Sequence, residues 1–105
     1  MEMKNIVLFC AAGLSTALLV SRMEAAAKEL QYDCQIQAYP VAAVGSLKET
    51  PDIVLVGPQV KFHLPRIRET YGCVPVEVID IASFGMMDGK KIVSNVKRIL
   101  EEKAE

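Results

Sequence analysis

Short apolar runs alternate along the chain with stretches whose apolar residues recur at helical spacing. Asn5 to Phe9 is continuously apolar after its first residue and rich in β-formers, the pattern of a strand buried on both faces. From Ala17 to Leu30 the period changes. Leu19, Met23, Ala26 and Leu30 fall on one face with Val20 and Ala27 beside them, while Ser21, Arg22, Glu24, Lys28 and Glu29 take the other. That spacing predicts an amphipathic helix with Ser15 or Thr16 as its N-cap. Cys34 to Tyr39 alternates through Gln35 and Gln37 and predicts an edge strand ended by Pro40. Val41 to Lys48 fits a short helix. Asp52 to Val56 predicts a second buried strand, closed by Gly57-Pro58. Gln59 to Tyr71 carries Val60, Leu64, Ile67 and Tyr71 at helical spacing around an internal Pro65, which predicts a kink or two short helices. Val74 to Ile79 is the fourth predicted strand and Asp80 to Gly85 a connector. Asp88 is placed to cap a last helix with Ile92, Val93, Val96, Ile99 and Leu100 inward. The acidic tail, 101–105, opposes the helix dipole and should fray.

Strands and helices that alternate in this way, with near-continuous apolar strands, predict an α/β fold: one four-stranded parallel sheet covered by helices on both faces. Right-handed crossovers and the two most apolar strands at the centre give the order 2-1-3-4. In such a sheet ligands sit outside the carboxyl ends of the strands where the order reverses, here between strands one and three.

The chain has 105 residues, enough for one domain. Its 12 Lys and Arg nearly balance 13 Asp and Glu, for a net charge of −1, which argues against nucleic acid or an anionic membrane surface as the main partner. The apolar runs are too short to span a membrane, and no signal-peptide pattern opens the chain, so a cytoplasmic protein is expected. The 3 cysteines contain no Cys-x-x-Cys and read as free thiols, not as a disulfide frame or a zinc site. No metal or cofactor is expected.

Cys10 falls at the carboxyl end of strand one, beside the switch point. The small residues Ala11, Ala12 and Gly13 then lead onto a helix N-terminus, where backbone N–H groups can turn inward and form an anion-binding concavity. Ser15 and Thr16 can add hydroxyl donors. Amides and helix dipole together favour a thiolate. A thiolate beside a phosphate-sized nest is what a covalent phosphocysteine needs; a buried cysteine that merely packs is the bland alternative.

Leu8 to Val20 (LFCAAGLSTALLV) resembles the active-site segment of the IIB component of bacterial sugar phosphotransferase systems, in the lactose, cellobiose and chitobiose branch. Val54 to Val60 and Pro75 to Asp80 agree at matching spacing, and the similarity runs over essentially the whole chain. The resemblance implies that Cys10 accepts a phosphoryl group from a histidine of the IIA component and passes it to a sugar held by the membrane IIC component. It implies a phosphate loop formed by Ala11, Ala12, Gly13, Leu14, Ser15 and Thr16, a four-stranded parallel sheet, and transient association with the inner face of the membrane through IIC. The sequence is loosest against the pattern at Ala42 to Glu49 and in the tail.

A small phosphatase or an arsenate reductase built on the same cysteine is the competing reading, with a phosphate-binding module a further one. Cysteine phosphatases resemble Cys-x5-Arg, and here the sixth residue after Cys10 is Thr16, with no Lys or Arg in the loop. Gln59 and Asp80 follow strands three and four and are candidates for reaching the phosphoryl group; capping is the alternative for both. His63, the only histidine, is placed away from the rim and Met86-Met87 in packing. The rim offered to partners is expected to include Ala11, Ala12 and Leu14 with Tyr39 and Pro58 nearby, on a protein that is monomeric when free.

Overall fold

The computed structural model describes residues 3–11 and 14–104. Its elements run β1 (Lys4–Cys10), α1 (Leu14–Glu29), β2 (Cys34–Pro40), a 3-10 turn (Val41–Ala43), β3 (Ile53–Val56), a 3-10 segment (Pro58–His63), α2 (Leu64–Thr70), β4 (Val76–Val78), α3 (Ile81–Gly85) and α4 (Gly89–Ala104). All strand pairs are parallel, in the order β2-β1-β3-β4. The sheet is the one the alternation predicts.

The apolar run of β1 is continuous because each of its faces meets a different core. Ile6, Leu8 and Cys10 point with Ile36, Ile53 and Leu55 toward α1 and α4, which contribute Leu19, Met23, Ile92, Val93 and Val96. Val7 and Phe9 point with Val54, Val56 and Val76 the other way, toward Val60, Ile67 and Tyr71. The Phe9 ring lies 5.8 Å from that of Tyr71, in stacking range. Burial of each such side chain contributes about 1.5–3 kcal/mol, so the central strands fix the register.

Four local expectations are corrected. Helix α1 begins at Leu14, so Ser15 and Thr16 stand in its first turn and neither is its N-cap. Asp80–Gly85 is no mere connector: Ile81–Gly85 is a short helix, because the Asp80 carboxylate accepts from the Ser83 N–H at 3.0 Å and caps it. The Val41–Lys48 stretch forms only a 3-10 turn over Val41–Ala43. Met86 is 77% exposed, so of the methionine pair only Met87 packs. The expected break around Pro65 takes the two-helix form, with Pro65 in the first turn of α2, where its missing N–H leaves no bond unmade. Asp88 caps α4 as expected, accepting from the Lys91 N–H at 3.1 Å.

Candidate functional site

Cys10 is the last residue of β1, paired with Pro40 of β2, and the chain of β3 turns away beside it at Gly57. The strand order reverses here, between β1 and β3. The cysteine is 2% exposed, and its Sγ lies 2.8 Å from the Thr16 hydroxyl. Thr16 is itself buried, and its Oγ1 donates to the Ala11 carbonyl at 3.2 Å. A hydroxyl has one proton to give. With that proton on Ala11, Thr16 accepts from a Cys10 thiol; a thiolate is served when the hydroxyl turns and donates to sulfur. The early start of α1 is what brings Thr16 to this place. Of the expected phosphate loop, Ala12 and Gly13 lie outside the described residues, as do the side chains of Leu14 and Ser15. Ala11 is exposed, and Leu14 to Thr16 are helical.

Gly57 shapes the other wall. Its N–H donates to the Phe9 carbonyl at 2.9 Å, which ties it beside Cys10. A Cβ at position 57 would lie 3.0 Å from Cys10 Cβ, 3.1 Å from Gln59 Oε1 and 3.5 Å from Phe84 Cε2. The absent side chain therefore lets the cysteine, the Gln59 amide and the Phe84 ring share one small volume. Gln59, expected at this rim, is brought to the site. Nothing in the sequence pattern marks Gly57 or Phe84 as site residues. The Gly-Pro that closes β3 signals a turn, and its closeness to Cys10 follows only once β1 and β3 are known to pair.

Asp80 behaves as a cap. The Ser83 backbone N–H, and beyond it the Lys91 ammonium 3.8 Å away, hold its carboxyl below the ordinary value of 3.8. A carboxylate depressed in the folded state stabilises above its unfolded value, and that contribution is lost as pH falls through the folded one. Asp80→Ala should therefore melt lower than the parent at pH 7, and the gap should close as pH falls below the carboxylate range. Thermal melts at a series of pH values check this; a gap that is constant with pH would show that the charge contributes nothing.

His63 ends the 3-10 segment with its ring 4.2 Å from that of Phe62. Cys34 pairs with Lys4 at the amino edge of the sheet, at the opposite end of β1 from Cys10. Burial, with Asp33 and Glu24 nearby, pushes the Cys34 thiol up. Cys73 precedes β4 on that same edge. Neither is placed to resolve an oxidised Cys10, because a strand of that length spans roughly 17–20 Å, whereas bridged Cα atoms approach within about 7 Å. Among the described residues, no helix is long and apolar enough to cross a membrane.

Known proteins of this form were found by both sequence and structure. The family model for the lactose/cellobiose-specific IIB subunit of the phosphotransferase system matches residues 5–95. The galactose-specific EIIB component of Lactococcus lactis subsp. cremoris is 39% identical, over 92% of this chain and 96% of its own length. The cellobiose-specific EIIB component of Lactococcus lactis subsp. lactis is 38% identical over the same shares. The oligo-beta-mannoside-specific EIIB component of Bacillus subtilis is 38% identical, over 85% and 88%. Among solved structures, the cellobiose-specific IIB protein of Borrelia burgdorferi superposes with a TM-score of 0.79 at 31% identity, over 97% of this chain and 95% of that one. The lactose-specific IIB domain of Streptococcus pneumoniae gives a TM-score of 0.80 over 93% and 98%, and at 12% identity its likeness is one of fold alone. With the family model spanning most of the chain and relatives near two-fifths identical over nearly all of it, this protein belongs to the lactose/cellobiose-specific IIB components of the sugar phosphotransferase system.

Proposed function

We propose that this chain is a phosphoryl carrier and that Cys10 is its phosphorylated residue. The Cys10 sulfur attacks the phosphorus of a IIA phosphohistidine; the S–P bond forms as the N–P bond breaks, and the imidazole leaves. A hydroxyl of a lactose-, cellobiose- or chitobiose-class sugar held by the membrane IIC component then attacks. The O–P bond forms, the S–P bond breaks and the thiolate returns, the hydroxyl proton passing to the IIC side or to solvent. No metal or cofactor enters. The chain thus works as a transferase component at the inner face of the membrane, and free it is monomeric.

The observation that carries this reading is Cys10 at the carboxyl end of β1, beside the point where the strand order reverses and ahead of the N-terminus of α1. Amides from Ala11 to Thr16, with the helix dipole, are assigned to hold the dianion. Three relatives named for galactose, cellobiose and an oligo-beta-mannoside are almost equally identical to this chain, which suits a division of labour in which IIC selects the sugar. Leu18, Phe62 and Ile81 stand exposed on elements that leave the carboxyl side of the sheet, and they suit docking of an apolar partner surface.

The lack of a cation between Cys10 and Thr16 favours a carrier over a phosphatase. An arginine that stabilises a phosphoryl transition state is worth about 10³–10⁵ in rate. Without it, the phosphoryl group should outlast the wait for a partner. Incubation with a phosphorylated IIA domain should give an acid-labile phosphoryl adduct on Cys10 by intact mass. The adduct should discharge slowly alone and quickly with partner membranes and sugar, and aryl phosphate should not turn over. Rapid discharge to water by the isolated domain would make it a phosphatase.

A further inference from the structure

We propose that the Gln59 side-chain amide hydrogen-bonds the phosphoryl group on Cys10, a neutral clamp from outside a loop that holds no cation. This rests on the reading of Cys10 as phosphoryl acceptor.

The geometry comes from Gly57. A point 3.0 Å from Cys10 Cβ is also 3.1 Å from Gln59 Oε1, so the amide and the nucleophile border a volume no wider than those two distances together. A phosphoryl oxygen lies three bonds beyond Cβ, through Cβ–S, S–P and P–O, a reach of the same order as the separation of Cβ from that amide. A side chain at position 57 would crowd both the cysteine and the amide, so the glycine is what lets the two stand this close. Phe84, 3.5 Å from the same point, supplies an apolar wall on one side.

The chemistry fits a phosphoryl ester. A carboxamide carries two N–H donors and one acceptor, and it exchanges them by turning about its last torsion. The oxygen faces the site when a thiol is there, and the NH2 faces it when a dianion is. Gln59 is exposed, so this turn breaks no packing. Thr16 lies on the sulfur itself, 2.8 Å from Sγ. Gln59 therefore provides a second polar arm, from the strand-three side of the switch point. Asp80 cannot serve, because its carboxylate repels a dianion and is already held by the Ser83 N–H and near Lys91. A neutral donor steadies the ground-state dianion while adding less than an arginine to a water-attack transition state, the balance a carrier requires.

The test is a ³¹P NMR titration of the wild type, Gln59→Ala and Gln59→Glu after phosphorylation by a phospho-IIA domain, with melting curves for each. A donor bonded to the dianion lowers the second ionisation of phosphocysteine. Gln59→Ala should raise that ionisation by about half to one pH unit, and Gln59→Glu should raise it further through like-charge repulsion. Loss of phosphorylation in a variant that melts like the parent supports the same contact. A phospho-Gln59→Ala that titrates with the wild type overturns the inference and leaves the carrier reading intact. A wild type that takes no phosphoryl group from phospho-IIA overturns the carrier reading itself, and this inference with it.

Discussion

Cys10→Ser should fold, accept no phosphoryl group from phospho-IIA, and leave sugar phosphorylation in a reconstituted system at the background of the partner proteins alone. The reason is nucleophilic. At neutral pH a serine hydroxyl without a base is far weaker than a thiolate, and among the described residues no group is placed to activate it: the hydroxyl 2.8 Å from the sulfur is that of Thr16, no base at this pH. The stability argument makes the result interpretable. Cys10 is 2% exposed within the α1–α4 core, where an unpaired hydroxyl would cost about 1–3 kcal/mol. Thr16 already lies at hydrogen-bond distance, so the new hydroxyl inherits a partner and the loss should stay within roughly 1 kcal/mol. Intact mass after phospho-IIA treatment, sugar-phosphate formation with partner membranes and a thermal melt give the three readings. Wild-type transfer by Cys10→Ser would remove the cysteine from the chemistry.

The same burial bears on the proposed role. With Cys10 2% exposed, a phosphohistidine donor would meet the same enclosure, so on that proposal the surroundings of Sγ should open when a partner docks.

The central architecture was legible because β1 and β3 are buried on both faces and leave continuous apolar runs, while α1 and α4 repeat at helical spacing. The 2-1-3-4 order and the position of Cys10 at its reversal follow from those runs. What escaped depends on contacts between segments distant in sequence. Ser15 and Thr16 are both good N-cap types, yet the helix starts at Leu14 and commits the Thr16 hydroxyl to Cys10 and Ala11. Helix α3 spans five residues, too few for a period, and its one local signal is the capping carboxylate of Asp80. Gly57 reads as punctuation after a strand until the β1–β3 pairing sets it beside Cys10.

Gly89→Ala should be among the most destabilising single-atom additions in the protein, although local propensity forecasts the opposite. Alanine is the better helix former by about 1 kcal/mol, and Gly89 is the first residue of α4. Its Cβ, however, would lie 2.5 Å from the Arg22 carbonyl oxygen, 2.6 Å from the Arg22 carbonyl carbon and 2.8 Å from the Met23 nitrogen. These are backbone atoms in the middle of α1 and cannot rotate aside as a side chain would. Relief requires α1 and α4 to part, which opens the contact that buries Met23, Val93 and Val96. Overpacking typically costs about 1–3 kcal/mol, and an immovable neighbour puts this case at the upper end or beyond. For a domain of this size that is a fall in melting temperature of roughly 10–20 °C. Gly85→Ala is the control, since a Cβ there meets nothing within 4 Å. A Gly89→Ala protein that melts within about 2 °C of the parent would mean that the helices separate freely, against a close-packed interior. The substitution should also reach the site. Arg22 lies less than two helical turns beyond Thr16, so a displaced α1 carries the Thr16 hydroxyl off the Cys10 sulfur. Phosphorylation of the surviving folded Gly89→Ala protein should therefore be slower than that of Gly85→Ala at a temperature where both remain native.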